Sequence, residues 1–317
     1  MVGLDLQQAP CHMAESSGRR PLFAYAQLLR LPNVFSAVAD VCLGALAVEA
    51  LPEQWPVVVL LVMASVCLYS AGMVWNDYFD FDQDYRERPF RPLPSGKISL
   101  RTAVILGIAL LAAGVLLAGL AGFVNESYLP LVFSLVLVAC ILFYDAGLKH
   151  TSTGPIAMGA CRFFNVLLGL SAGATWVGGW GFQLALVVGL YIVGVTWFAR
   201  TEARMSKQGA LTGAGFVMLV SLVLALPMPA WFEPGRSSAL ILYPYLLVML
   251  GFLVGIPVSQ AIAHPSPQPV QQAVKRALMG LVLLDTVLAL GVAGWAGLAI
   301  LALLVPALYL GRWIYST

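Results

Sequence analysis

The sequence predicts an all-α fold, a polytopic membrane bundle of nine or ten transmembrane helices. Three observations carry that prediction. Of 317 residues, 60% are hydrophobic and 10% charged, and the mean hydropathy is +0.88, far from the balance of a water-soluble domain. Apolar runs of about 20 residues, enough to cross a ~30 Å hydrocarbon layer, recur along the whole chain. The alternating pattern of a membrane β-barrel is absent, and backbone groups in lipid must pair within their own segment, so the spans are helices.

Taken in order, the spans fall at about 34–51, 55–75, 102–122, 128–147, 155–177, 181–199, 209–227, 238–262, 277–292 and 297–314. The last two flank GVAGWAG, which reads either as a tight turn or as a weak point in one longer apolar stretch, hence nine or ten. Residues 1–20 read as a flexible N-terminal segment, and residues 21–317 as a single transmembrane domain. No uninterrupted apolar core precedes Pro21, so no cleavable signal is expected and the first span acts as the insertion signal.

Sidedness follows from the basic residues. Arg19, Arg20, Arg30, Arg86, Arg88, Arg91, Lys97, Arg101, Lys149, Arg200, Arg204, Lys207, Lys275, Arg276 and Arg312 all fall on one side, fifteen of the 17 Lys and Arg residues. Only Arg236 lies in an opposite connection. The positive-inside rule then places the N-terminus and the acidic segment after span 2 in the cytoplasm, with the chain a multi-pass protein of the cell (inner) membrane. A cationic face of this kind suits an anionic ligand or anionic membrane lipid. The basic residues are divided among loops and accompanied by acids, so no nucleic-acid footprint is expected. The five cysteines show no CxxC spacing and the three histidines are dispersed, which argues against disulfides and a His-based metal site.

One segment breaks the apolar pattern: WNDYFDFDQDYRERPFRPLPSGK, Trp75 to Lys97. Asp77, Asp80 and Asp84 stand at i, i+3 and i+7, so on a helix continuing from span 2 they share one stripe beside Asn76, while Asp82 points elsewhere. Stacked carboxylates repel each other unless a cation sits among them. Magnesium suits such hard oxygen ligands, commonly together with substrate phosphates. The same spacing also suits a solvated polar helix end with local Asp–Arg pairing. The loop that follows supplies Arg86, Arg88, Arg91 and Lys97 among prolines, and arginine forks grip phosphate oxygens. An acidic stripe followed by a basic loop forms a plausible diphosphate clamp.

These residues also carry a resemblance. NDYFDFDQD matches the Asn-Asp-x-x-Asp-x-x-x-Asp signature of the UbiA superfamily of intramembrane prenyltransferases, and RPFRPLPSGKIS looks like that family's Arg-Pro-Leu-Pro-Ser-Gly loop. RLPNVF, from Arg30 to Phe35, and FYDAGLKHTSTGP, from Phe143 to Pro155, are similar to two further family segments. The resemblance implies a helical bundle around a central cavity open to the cytoplasm. It further implies Mg²⁺ as cofactor, a prenyl diphosphate donor and a lipophilic acceptor, aromatic in many members. Carried over by position, Asn76, Asp77, Asp80 and Asp84 would hold metal and diphosphate, and Arg88 or Arg91 together with Lys149 would neutralise the leaving group. Asp77, Asp80, Asp84 and Lys149 are then the expected catalytic set.

The chain departs from the family after the sixth span. A second Asp-rich motif belongs there, but TWFARTEARMSKQG offers a single carboxylate, Glu202, among Arg200, Arg204 and Lys207. Two readings follow. Arg200, Arg204 and Lys207, with Glu202 beside them on the substrate side, do electrostatically what a second magnesium does elsewhere. Alternatively, transfer chemistry is lost and the chain is a noncatalytic carrier or exporter of a lipophilic metabolite. The departure resembles a divergent branch of the superfamily such as the EboC-like group. CDP-alcohol phosphotransfer, another membrane chemistry of aspartates, would require an Asp-Gly-x-x-Ala-Arg stretch, which is missing.

Four polar groups inside spans need partners. Asp40 would line the cavity or pair with Arg162, and Asp285 would be paired structurally. Arg162 and Asn165 share a face and point inward, toward the cavity or a neighbouring helix. Asp145, beside Tyr144 and before Lys149, reads as a helix-end charge, with an acceptor-side base as the alternative. GLSAG at Gly169–Gly173 matches a nucleophile elbow in letters only, since within a membrane helix its small residues permit close packing.

Overall fold

The computed structural model describes residues 20–173, 178–200, 202, 205–231 and 241–314. The N-terminal segment expected as flexible lies almost entirely outside them, as do Arg204 and Arg236. The described residues form helices without a strand: α1 (Arg20–Leu28), α2 (Leu31–Ala47), α3 (Trp55–Phe79), α4 (Phe81–Glu87), α5 (Leu100–Val124), α6 (Leu129–Ala146), α7 (Gly154–Leu170), α8 (Gly178–Ala199), α9 (Gln208–Ala225), α10 (Tyr243–Ala263), α11 (Pro267–Ala293) and α12 (Leu304–Trp313).

Proline marks most beginnings. α2, α3, α6, α7, α10 and α11 each carry Pro in the first two helical positions, where its missing N–H costs nothing and its fixed φ is already helical. α5 starts instead at Ser99, whose Oγ accepts from the Thr102 amide at 3.1 Å. The carbonyls of Ser171, Ala172 and Gly173 that follow α7 each accept from Asn125 Nδ2 at 3.2 Å. Asn125 heads the Asn-Glu-Ser glycosylation sequon, so that amide is already committed to the fold.

Among the described residues, seven helices are long and apolar enough to cross a membrane, and eight when α1 and α2, bent by 49°, count as one broken span. α7, at 17 residues, is a shorter apolar helix. In that count residues 267–313 are one stretch, yet a 3-10 segment, Gly294–Leu303, separates α11 from α12 and packs back against α11. Gly294 has φ +67°, and a Cβ on Gly297 would lie 2.4 Å from the Leu290 nitrogen. The chain therefore reverses at the GVAGWAG stretch, and both legs pack on α2. The protein is a multi-pass membrane bundle. Its large exposed side chains, such as Phe123, Leu116 and Phe252, suit lipid contact.

α2 is the central post, packed by α3, α7, α11 and α12. Its approach to α7 is a backbone contact: a Cβ on Gly44 would fall 2.4 Å from the Leu170 nitrogen, and one on Gly169 would fall 2.4 Å from the Val41 carbonyl oxygen. GLSAG is thus a close-packing seam. It brings α7 near enough to α2 for their polar side chains to bond.

Candidate diphosphate site and cavity

The acidic stripe survives a helix break. α3 ends at Phe79 and α4 begins at Phe81, but the amides of Asp80 and Asp84 still bond back four residues, to Asn76 O at 3.0 Å and Asp80 O at 2.8 Å, so the helical phase is kept. Asp77 and Asp84 are buried, Asp80 is half-buried, and Asp82 is exposed.

Each of the three carboxylates of the stripe, Asp77, Asp80 and Asp84, faces a cation. Asp77 Oδ1 accepts from Arg30 at 3.0 Å and from Arg91 at 3.5 Å. Asp84 Oδ2 accepts from Arg91 at 2.5 Å. Asp80 Oδ1 lies 2.7 Å from Lys149 Nζ and 3.8 Å from His150 Nε2. Asn76 joins the two halves: Oδ1 accepts from Arg30 at 3.3 Å, and Nδ2 donates to Asp145 Oδ1 at 3.1 Å. Lys149 also approaches the Asn76 carbonyl at 3.5 Å.

Of the two arginines proposed from the loop, Arg91 enters the site, 6% exposed, and Arg88 stays exposed at the end of α4. Arg200 does not reach the carboxylates. It donates to the carbonyls of Thr151 and Lys149, fixing the loop that presents Lys149. Glu202 is half-buried; burial pushes its carboxyl above the ordinary value, while Arg88 and Lys275 pull it back.

Arg30 was not expected at the site, and Asp145 was expected as a helix-end charge in preference to an acceptor-side base. Arg30 sits between α1 and α2 in the left-handed region, φ 46° and ψ 49°, a conformation that costs a non-glycine residue on the order of 1 kcal/mol and that aims its side chain at Asp77. Asp145, expected as a helix-end charge, is buried and lines the hollow next to Asn76. Spacing alone offers no signal for Arg30, since its position depends on the bend after α1. A polar residue directly after Tyr144 on an otherwise apolar helix was the available signal for Asp145.

Behind Arg30 and Asn76 opens a cavity of about 280 Å³, with Tyr144 and Asp145 near its mouth and Ser65, Tyr69, Arg162 and Asn165 further in. Leu68, Leu137, Ile141 and Ile192 form apolar wall between them. Larger hollows exist, notably a groove of about 520 Å³ between α9 and α10. That groove carries no charged residue, so size does not identify the site.

Whether magnesium fits can be judged from the donors. No three His, Cys, Asp or Glu side chains among the described residues are grouped as a metal cage. Yet Asp77, Asp80 and Asp84 are hard oxygen donors, each engaged through one oxygen only. That set fits an ion completed by phosphate oxygens rather than one held by protein alone.

The profile of the UbiA prenyltransferase family matches residues 37–267. The digeranylgeranylglyceryl phosphate synthase of Ignicoccus hospitalis is 32% identical over 197 residues, 62% of this chain and 60% of that relative. The synthase of Methanothermobacter thermautotrophicus is 36% identical over 259 residues, 72% of this chain and 82% of that relative. For the synthase of Methanothrix thermoacetophila the match is 38% over 123 residues, 44% of its length. The chain thus spans about half the length of the first curated relatives it matches. A solved digeranylgeranylglyceryl phosphate synthase aligns with TM-score 0.65 at 21% identity, covering 86% of this chain and 99% of its own. A UbiA homolog from Archaeoglobus fulgidus bound to GPP and Mg²⁺ aligns with TM-score 0.59 at 15% identity, covering 88% and 99%. At these identities the two structures speak for the fold.

Proposed function

This chain belongs to the UbiA prenyltransferase family, and from that premise we propose that it transfers a prenyl group from a prenyl diphosphate to a lipophilic acceptor inside the membrane. The observation that carries the reading is the arrangement at the mouth: three carboxylates interleaved with Arg30, Arg91 and Lys149, backed by a cavity whose wall is largely apolar.

Arg30, Arg91 and Lys149 are the groups that bind the diphosphate, and their charge opposes the negative charge growing on it as the allylic C–O bond breaks. Asp77, Asp80 and Asp84 would hold Mg²⁺ against the same diphosphate, and the ion would supply further neutralisation of the leaving group. Asn76 orients Arg30 and ties Asp145 to the site. Arg200 holds the Lys149 loop in place. Leu68, Leu137, Ile141 and Ile192 keep water from the allylic carbon. The names of the relatives favour a hydroxyl on a glyceryl phosphate lipid as acceptor over an aromatic ring. The sidedness of the basic residues favours a mouth that faces the cytoplasm.

The test is transfer of labelled geranylgeranyl from its diphosphate to geranylgeranylglyceryl phosphate in membranes. Wild type should give Mg²⁺-dependent product, and Asp77→Ala and Asp80→Ala none above background.

One observation favours a second reading, a noncatalytic carrier. Glu202, the only carboxylate in the segment between α8 and α9, feels the charges of Arg88 and Lys275 instead of joining an acidic set. If purified protein binds the lipophilic compound while Asp80→Ala leaves cellular function unchanged, the carrier reading replaces transfer.

A further inference from the structure

The inner end of the cavity holds charged groups that the transfer reading leaves unused. Arg162 of α7 donates to Asp40 Oδ2 at 3.0 Å and to Ser36 Oγ at 2.8 Å, and its guanidinium lies 5.5 Å from the Tyr69 ring centroid. Asn165, one turn further on, donates to the same Asp40 oxygen at 2.9 Å and accepts from Ser65 at 2.7 Å. Behind them Asp285 of α11, 0% exposed, comes within hydrogen-bonding reach of Asp40.

Asp40 Oδ1 and both oxygens of Asp285 are buried without any donor. Two carboxylates and one guanidinium leave one uncompensated negative charge in the membrane interior, where neither solvent nor an unpaired acceptor is tolerated. The other titratable groups facing the pair are Cys42 on α2, Tyr69 on α3 and Tyr191 on α8. The Tyr191 hydroxyl already donates to the Ala277 carbonyl at 2.8 Å. A single hydrogen between the aspartates removes both defects at once, since it neutralises the cluster and turns one orphan oxygen into a donor for another. A metal ion answers less well, because three oxygens fall short of the roughly six that a hard cation takes.

We infer that Asp40 and Asp285 share one proton and that, with Arg162, they make the inner end of the cavity a net-neutral hydrogen-bonding subsite that selects an uncharged group of the acceptor, a hydroxyl or carbonyl, over an anionic one. Arg162 and Tyr69 line the cavity there, so guanidinium N–H groups and a phenol O–H are presented to a ligand, while the hydrogens of Asn165 and Ser65 are spent on Ala37 O, Asp40 and each other. An anion would surrender its hydration for a guanidinium whose charge Asp40 already cancels. Anionic parts of the substrates stay at the mouth, with Arg30, Arg91 and Lys149. Asp40 and Asp285 are positioning residues, acting through Arg162. The inference rests on the reading that the cavity receives the acceptor.

The test uses the full chain in nanodiscs, in two arms. Infrared spectra of wild type at neutral pH should show a buried protonated-carboxyl band, indifferent to replacing Na⁺ with choline and lost in Asp285→Asn. Absence of the band, its dependence on Na⁺, or its persistence in both Asp285→Asn and Asp40→Asn overturns the shared proton. In the second arm the donor site is filled with a thio-diphosphate analogue, and geranylgeraniol is compared with geranylgeranoic acid, which share a tail and differ in head group. Wild type should prefer the alcohol. Arg162→Met should weaken alcohol binding about tenfold, as expected for a lost bond to a charged donor, and the double variant Asp40→Asn/Asp285→Asn, which leaves Arg162 uncompensated, should shift preference toward the acid. Equal or tighter binding of the acid by wild type, or an unshifted preference in the double variant Asp40→Asn/Asp285→Asn, overturns the subsite. Mg²⁺-dependent diphosphate binding at the mouth is read separately, so failure of the transfer reading shows itself there.

Discussion

At the scale of the residue, the mouth is a lattice in which each carboxylate has a cation and each cation a second task. Arg91 bridges Asp77 and Asp84. Arg91→Ala strands buried Asp84 and leaves Asp77 to Arg30 alone, and should destabilise the protein by about 3 kcal/mol, read as a fall in melting temperature in detergent. Arg91→Lys keeps the charge but loses the fork, and should weaken diphosphate binding about tenfold with little loss of stability. Arg30 separates conformation from chemistry. Because its backbone is left-handed, Arg30→Gly should be more stable than Arg30→Ala by about 1 kcal/mol, while both lose diphosphate affinity equally. A thermal comparison showing Arg30→Ala the more stable would contradict that geometry. The stripe Asp77, Asp80, Asp84 was legible because helical periodicity is local. Arg30 was not, because its role depends on a bend, and the contact of Asp285 with Asp40 was not, because it depends on how α11 packs on α2.

At the scale of the element, the polar interior depends on how closely α2 and α7 approach. Gly44 and Gly169 set that distance, and Arg162, Asn165 and Asp40 bond across it. Gly169→Ala pushes a methyl into the Val41 backbone and should cost about 1–3 kcal/mol. The same change should disturb the cavity's inner end, seen as reduced acceptor binding with diphosphate binding retained. The helix spans were readable from hydropathy to within a few residues, as at α3, α5 and α8. The reversal at Gly294 was readable only as an ambiguity, since a glycine-rich apolar stretch suits both a turn and a continued helix. α4 was read as a continuation of α3; the break at Asp80 leaves the phase of the carboxylates unchanged.

At the scale of the whole molecule, access to the diphosphate site requires one open side. The bundle presents its charged mouth where α1, the loop after α4 and the loop after α6 meet, and it closes inward on a neutral polar cluster. A cysteine placed at Ser95, in the loop that carries Arg91, should react with an impermeant maleimide in inside-out vesicles and remain unlabelled in right-side-out ones. Labelling from the outer face would reverse the orientation drawn from the basic residues. The family and the bundle were legible in the motifs because those residues are contiguous. The share of work left to the loop after α8 was not, because Arg200 turned toward backbone carbonyls, a choice that spacing does not encode.

The most direct measurement is equilibrium binding of geranylgeranyl diphosphate to the purified chain in nanodiscs, with and without Mg²⁺, in wild type and Asp77→Asn. Saturable binding that requires the ion and disappears in the variant is the expected result. Binding of equal strength without the ion, or unchanged by Asp77→Asn, would contradict the account.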